Sequence, residues 1–177
     1  MDDQKQNWLN FLALTTVLLA VGATVSTLNV GKFSNRSILK QTQASDQWAY
    51  YQAKSIKGYL YELQKEKLEI ELKLITNTAA KEVLEEYEKK IATYAAQIKR
   101  YEGEKAEIMK EAKGLEQQRD AVALHSQSFG MAVILLQLAI LLSSMATLMK
   151  KKLLWMTGLV LGIAGVVYFA NGFWLFM

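Results

Sequence analysis

Charge is so unevenly distributed along this chain that a single water-soluble globule is excluded as its fold. All of the 21 Lys and Arg except Lys5, Lys150, Lys151 and Lys152 lie between Lys32 and Asp120, as do all of the 17 Asp and Glu except Asp2 and Asp3. Outside that middle, Trp8–Leu28, Phe129–Met149 and Leu153–Met177 carry no charged side chain over 21, 21 and 25 residues. A helix rising about 1.5 Å per residue needs about 20 apolar residues to cross about 30 Å of hydrocarbon. Each stretch meets that length. Rings that gain most at a membrane interface fall near their ends: Trp8, Phe11, Phe129, Trp155, Phe173 and Trp174. The expected fold is all-α, with three transmembrane helices and a charged helical region outside the bilayer.

The first apolar segment reads as an anchor rather than a cleaved signal. The residues before it include Asp2, Asp3 and Lys5 instead of a basic cluster, although Ala20-Val21-Gly22-Ala23 offers small residues for cleavage. Only Lys150, Lys151 and Lys152 separate the second and third segments, which forces an antiparallel pair. Short basic loops resist translocation, so this link is expected in the cytoplasm, the N-terminus inside, and the middle region and Met177 on the periplasmic side. Lys32, Arg36, Lys40 and Arg119 at the membrane ends of the middle region oppose that orientation. Long loops cross largely regardless of charge, and the triple lysine outweighs them.

The middle region reads as a long antiparallel coiled-coil hairpin. Leu84, Tyr87, Ile91, Tyr94, Ile98, Tyr101, Lys105, Ile108, Ala112, Leu115, Arg119 and Val122 recur in steps of three and four. Upstream, Ala49, Ala53, Ile56, Leu60, Leu63, Lys67, Ile70 and Leu74 keep the same rhythm. Thr76-Asn77-Thr78 separates the two stripes, so the tip is expected at 76–78 with Asn77 or Thr78 capping the second arm. Folding about Asn77 would set Tyr101 opposite Ala53 and Tyr94 opposite Leu60. Glu69–Lys73, Glu85–Lys89 and Glu86–Lys90 have the i,i+4 spacing of supporting ion pairs. A break is expected at Asn29–Asn35, around Gly31 with Ser34 as N-cap, whereas His125–Ser128 has no breaker. The chain is thus partitioned into an anchor (1–30), a hairpin (31–126) and a transmembrane pair (127–177). With no Pro in the chain, nothing forbids such long helices.

Chemistry is hard to find. With no Cys, thiolate metal sites and thiol nucleophiles are excluded. Basic residues in the middle alternate with acids, which removes the extended positive field a nucleic acid needs. The sole histidine, His125, lacks ligand partners at helical spacing and reads as an interfacial residue at the hairpin base. No nucleotide-binding, zinc-protease or hydrolase motif occurs, so neither an enzyme nor a cofactor is expected. The polar residues within the apolar segments, Asn10, Thr15, Thr16, Thr24, Gln137, Ser143, Ser144 and Asn171, include nothing ionisable, which argues against a pump. They leave open a pore assembled from several copies. Gly158, Gly162 and Gly165 lie along one face of the third segment and read as a helix-packing face, against the first helix or another subunit. Tyr87, Tyr94 and Tyr101 at heptad spacing read as seam residues rather than a stacking platform. Trp48, Tyr50, Tyr51, Tyr59 and Tyr61 cover more than one helix face, and rings in excess of one seam point to contact with another chain.

The segment Ala44-Ser45-Asp46-Gln47-Trp48-Ala49-Tyr50-Tyr51-Gln52-Ala53-Lys54-Ser55-Ile56-Lys57 resembles the bacterial family known as domain of unknown function 4337, and the similarity takes in Trp8-Leu9-Asn10 and the two C-terminal apolar segments. The resemblance implies a bacterial membrane protein with Asp46, Gln47, Trp48 and Tyr51 as a family-like cluster, and no assigned activity. The expectation is a multi-pass protein of the bacterial cytoplasmic (inner) membrane that contacts lipid and self-assembles as a homo-oligomer without catalysis. A homo-oligomeric channel is the alternative. A sensor is weaker, since no cytoplasmic output domain accompanies the hairpin.

Overall fold

A computed structural model describes residues 2–77 and 79–176, with side chains from Trp8 onward. The described residues form three helices: α1 (Asp2–Ile75), α2 (Lys81–Met149) and α3 (Lys152–Trp174).

The expected break near Gly31 does not occur. α1 runs without interruption from Asp2 to Ile75. Gly31 costs a helix only about 1 kcal/mol relative to Ala, and tertiary contacts on either side outweigh that. Ser34 is no N-cap: its hydroxyl is 2.9 Å from that of Ser126 on α2. α2 passes unbroken through His125–Ser128, as the lack of a breaker there implies.

The turn between α1 and α2 also lies later than expected. α1 closes with the Ala79 N–H donating to Ile75 O at 2.9 Å, and α2 opens with the Val83 and Leu84 N–H groups donating to Ala80 O. Asn77 therefore does not cap α2, and Thr78 lies outside the described residues. The Thr76 hydroxyl instead donates back to Leu72 O at 2.6 Å, which prolongs the end of α1.

The chain divides into two compact units, Met1–Leu39 with Gln118–Met177, and Lys40–Gln117. In the first unit, three helices pack through small residues. α2 buries Phe129, Ala132, Leu136, Ala139, Ser143 and Ala146 in alternating steps of three and four, against Leu12, Leu19, Ala23 and Ser26 of α1 and the glycine face of α3. The large aliphatics Leu14, Leu18, Leu138, Leu141, Val160 and Ile163 face outward. In the second unit, α1 and α2 form an antiparallel helical pair.

The α2–α3 link is two residues long. Lys150 adopts the left-handed conformation (φ 52°), the Lys151 N–H donates to Ala146 O at 3.2 Å, and α3 begins at Lys152. This is the bonding of a Schellman cap, with Lys at the position where Gly is usual. All three lysines are exposed.

Candidate functional site

In the second unit the contact between the arms is built from α2 outward. Each of the ten stripe positions from Leu84 to Leu115 is buried or half-buried, and Tyr101, Ile108 and Ala112 are the most enclosed; the last two, Arg119 and Val122, belong to the first unit and are half-buried there. The face that α1 presents to them is not the expected one. Ala44, Trp48, Tyr51, Gly58, Tyr61, Leu68 and Leu72 turn inward, while Ala49, Ala53, Ile56, Leu60, Leu63, Lys67, Ile70 and Leu74 are all exposed. Both series have heptad spacing, two residues out of phase and so on nearly opposite sides of the helix.

Shape and charge select the inward series. Tyr101 packs over Gly58, where a Cβ would sit 3.7 Å from Tyr101 Cβ, and its ring stacks on Tyr61 at 5.7 Å. The Tyr94 ring lies tilted against Tyr61 at 5.5 Å, and the Tyr87 hydroxyl donates to Glu71 at 3.4 Å. The pairings of Tyr101 with Ala53 and Tyr94 with Leu60 are therefore corrected. The turn at 76–80 moves the fold axis toward Ala79, and the opposite face of α1 is engaged.

Nearer the base, the Trp48 indole N–H donates to Glu116 at 2.9 Å, and its ring meets the edge of Tyr51 at 5.6 Å. Of the family-like cluster, Gln47, Trp48 and Tyr51 are half-buried and Asp46 is exposed. Between these layers Lys54 pairs across the arms with Glu104 at 2.6 Å, and Arg100 donates to the same carboxylate at 2.8 Å. The hydrogen bond from Lys54, then that from Arg100, lowers the Glu104 pKa; the hydrogen bond to Glu104, then Tyr50, raises that of Lys54. Lys54 also lies over the Tyr50 ring at 5.2 Å, and Lys105 over Tyr59 at 5.6 Å, so the excess rings carry cations on their faces. On the outer surfaces only Glu86–Lys90, at 2.9 Å, matches its expected pairing; Glu69 pairs with Lys65 and Glu85 with Lys81.

In the first unit, Gly158, Gly162 and Gly165 lie together against α2 and α1. Added Cβ atoms would stand 3.1 Å from Ala139 O, 3.0 Å from Leu19 Cδ2 and 2.9 Å from Leu136. The face is thus filled by the chain's own helices and is not open to another subunit. Gly172, seven residues beyond Gly165, belongs to the same face: a Cβ there would fall 2.7 Å from the Phe129 ring. Its spacing in the glycine series was the signal for it.

A polar layer crosses this unit below the glycines. His125 Nδ1 donates to Gly172 O at 2.8 Å, Asn171 donates to Ser128 at 3.0 Å, and Ser34 meets Ser126. Phe33 stacks on His125 at 4.8 Å, and Phe129 is bracketed by Phe169 and Phe173. At the opposite end the Trp155 N–H donates to Thr15 at 3.3 Å beside Trp8. Thr16, Thr24, Ser143 and Ser144 donate to carbonyls of their own helices. Among the described residues no three His, Asp or Glu side chains converge as metal ligands.

No curated protein and no solved structure matches the chain. The model of one family does match, over residues 8–175 and thus nearly the whole length. The chain therefore belongs to the family described as a domain of unknown function, DUF4337.

Proposed function

We propose that this chain is a membrane-anchored helical hairpin of the bacterial cytoplasmic membrane that self-assembles and carries no catalysis, acting as a structural or interaction protein. One observation carries the reading: the three-helix unit turns most of its large aliphatic side chains outward. Its interior is rich in Gly, Ala, Ser and Asn around Leu12, Leu19, Leu136 and Phe129, while most of its Leu, Val, Ile and Met side chains face outward. Hydrocarbon offers large aliphatics no penalty, so helices in it gain by close backbone approach through small residues. Each of the three helices contains a stretch long and apolar enough to span. The exposed lysines of the α2–α3 link favour the cytoplasmic side, which sets residues 40–117 in the periplasm. The test is flotation of the expressed chain with membranes, followed by light scattering of the detergent-solubilised particle corrected for bound detergent. Recovery in the soluble fraction ends the anchoring reading, and a particle of one chain ends self-assembly.

A pore is the second reading. Gln137 and Ser144, seven residues apart, share an outward face of α2. An amide facing hydrocarbon is costly unless another copy or water meets it. Conductance across planar bilayers that is altered in Gln137→Leu would favour this reading; absence of conductance from an assembled particle would exclude it.

A further inference from the structure

We infer that the outward stripe of α1, Ile56, Leu60, Leu63, Ile70 and Leu74, is the surface on which further copies of this chain dock, parallel and in register; the inference rests on the self-assembly proposed above. These five side chains are 54–76 % exposed although they lie in the arm that pairs with α2. The two stripes divide the helix between them, one for α2 and one left uncovered. From Ala49 to Leu74 the uncovered stripe runs for more than three heptads, the length at which such a pattern specifies a coiled coil.

The occupant follows from area and from layer identity. With Tyr59 beside them, the five aliphatics present on the order of 400 Å² of apolar surface, at the level of the largest patch on a typical soluble monomer. That is about half of the ~800 Å² that each partner commits to a standard interface, and the stems of Lys57, Glu66 and Lys73 along the flanks supply more. Lipid is a poor occupant, because Lys57, Glu66, Lys67, Glu71 and Lys73 border or interrupt the stripe and would have to enter hydrocarbon with it. A second copy brings identical layers. The step of three from Ala53 to Ile56 assigns Ala53, Leu60, Lys67 and Leu74 to the a positions and Ile56, Leu63 and Ile70 to d. Leu60 and Leu74 at a alternate with Ile56 and Ile70 at d, with Leu63 the one d position that departs. Leu at a with Ile at d favours three or four strands over two, and a single Lys in an a layer selects one register. Anchoring in one membrane would give all copies the same direction, as a parallel bundle requires.

The chain has no Cys, so single cysteines report directly. Ile56→Cys and Ile70→Cys, each in the full chain in detergent, are oxidised and resolved by non-reducing electrophoresis, with Glu88→Cys on the exposed side of α2 as control. Covalent dimers from both d positions but not from the control, in a particle of three or four chains, are expected. Cross-linking at one d position alone indicates antiparallel or offset docking and overturns the inference, as does a particle of two chains. No cross-linking at either position in a multi-chain particle also overturns it, while self-assembly stands by another surface. A monomeric particle removes both. Leu60→Glu with Leu63→Glu, at exposed sites that leave the arm pairing intact, is expected to reduce the particle to one chain with unchanged helicity by circular dichroism. An unchanged mass refutes the stripe.

Discussion

Two glycines with similar sequence surroundings have opposite roles once their neighbours are known. A Cβ at Gly31 meets nothing within 4 Å, whereas one at Gly172 would fall within 2.8 Å of three atoms of the Phe129 ring. Gly31→Ala is expected to stabilise by about 0.5–1 kcal/mol through helix propensity alone. Gly172→Ala should destabilise by about 1–3 kcal/mol, the usual cost of forcing volume into a filled contact. Thermal unfolding in detergent, followed by tryptophan fluorescence, separates the two. The Lys54–Glu104 pair makes a pH prediction with a definite sign. The lowered pKa of Glu104 contributes stability that is present above the ordinary carboxylate range and lost as pH falls through its folded value. The raised pKa of Lys54 contributes stability that is complete below the ordinary lysine value and lost as pH rises through its folded value. Both contributions are in place at neutral pH, so the melting midpoint should fall on acidification below about pH 4. Glu104→Gln should lower the neutral midpoint and flatten that acid limb.

At the scale of the element, much of the fold is legible in the sequence. The three apolar stretches, the second-arm stripe and the unbroken passage of α2 through His125 each follow from a local pattern with one solution. The inward face of α1 does not, because that arm has two heptad series and periodicity cannot choose between them. The Ile and Leu series is the more apolar and the better seam by composition. The structure engages the other because Gly58 admits Tyr101, Tyr61 stacks on Tyr101 and meets Tyr94, and Lys54 reaches Glu104. Those are matches between residues tens of positions apart, which one helix's pattern does not encode. The glycine face of α3 was legible as a packing face, but its partners needed the small residues of α2 to be placed opposite. The arm register gives a direct prediction. A cysteine pair at Lys54 and Glu104 should be joined by a short bismaleimide, and a pair at Ala53 and Tyr101 should not. Trp48→Phe keeps an aromatic ring of smaller size but removes the donor to Glu116, and should cost about 1 kcal/mol of stability.

At the scale of the whole molecule, orientation is the property most open to a single measurement. Lys151→Cys and Asn77→Cys, each the sole cysteine, are expected to lie on opposite sides of the membrane. A membrane-impermeant maleimide applied to intact spheroplasts should label Asn77→Cys at once and Lys151→Cys only after lysis. The reverse order would invert the proposed topology, and equal labelling would remove it. The contact between α2 and α3 has a consequence in conformational entropy. Gly158, Gly162, Gly165, Ala132, Ala139 and Ala146 have no rotamers to lose when they are brought together, so their packing is opposed by backbone ordering alone. In the proposed bilayer the leucines and isoleucines on the outer surface of this unit would keep their side-chain freedom. The large side chains that are held still there, Leu19, Leu136 and Phe129, come from α1 and α2, so the glycines of α3 add close approach without side-chain ordering of their own.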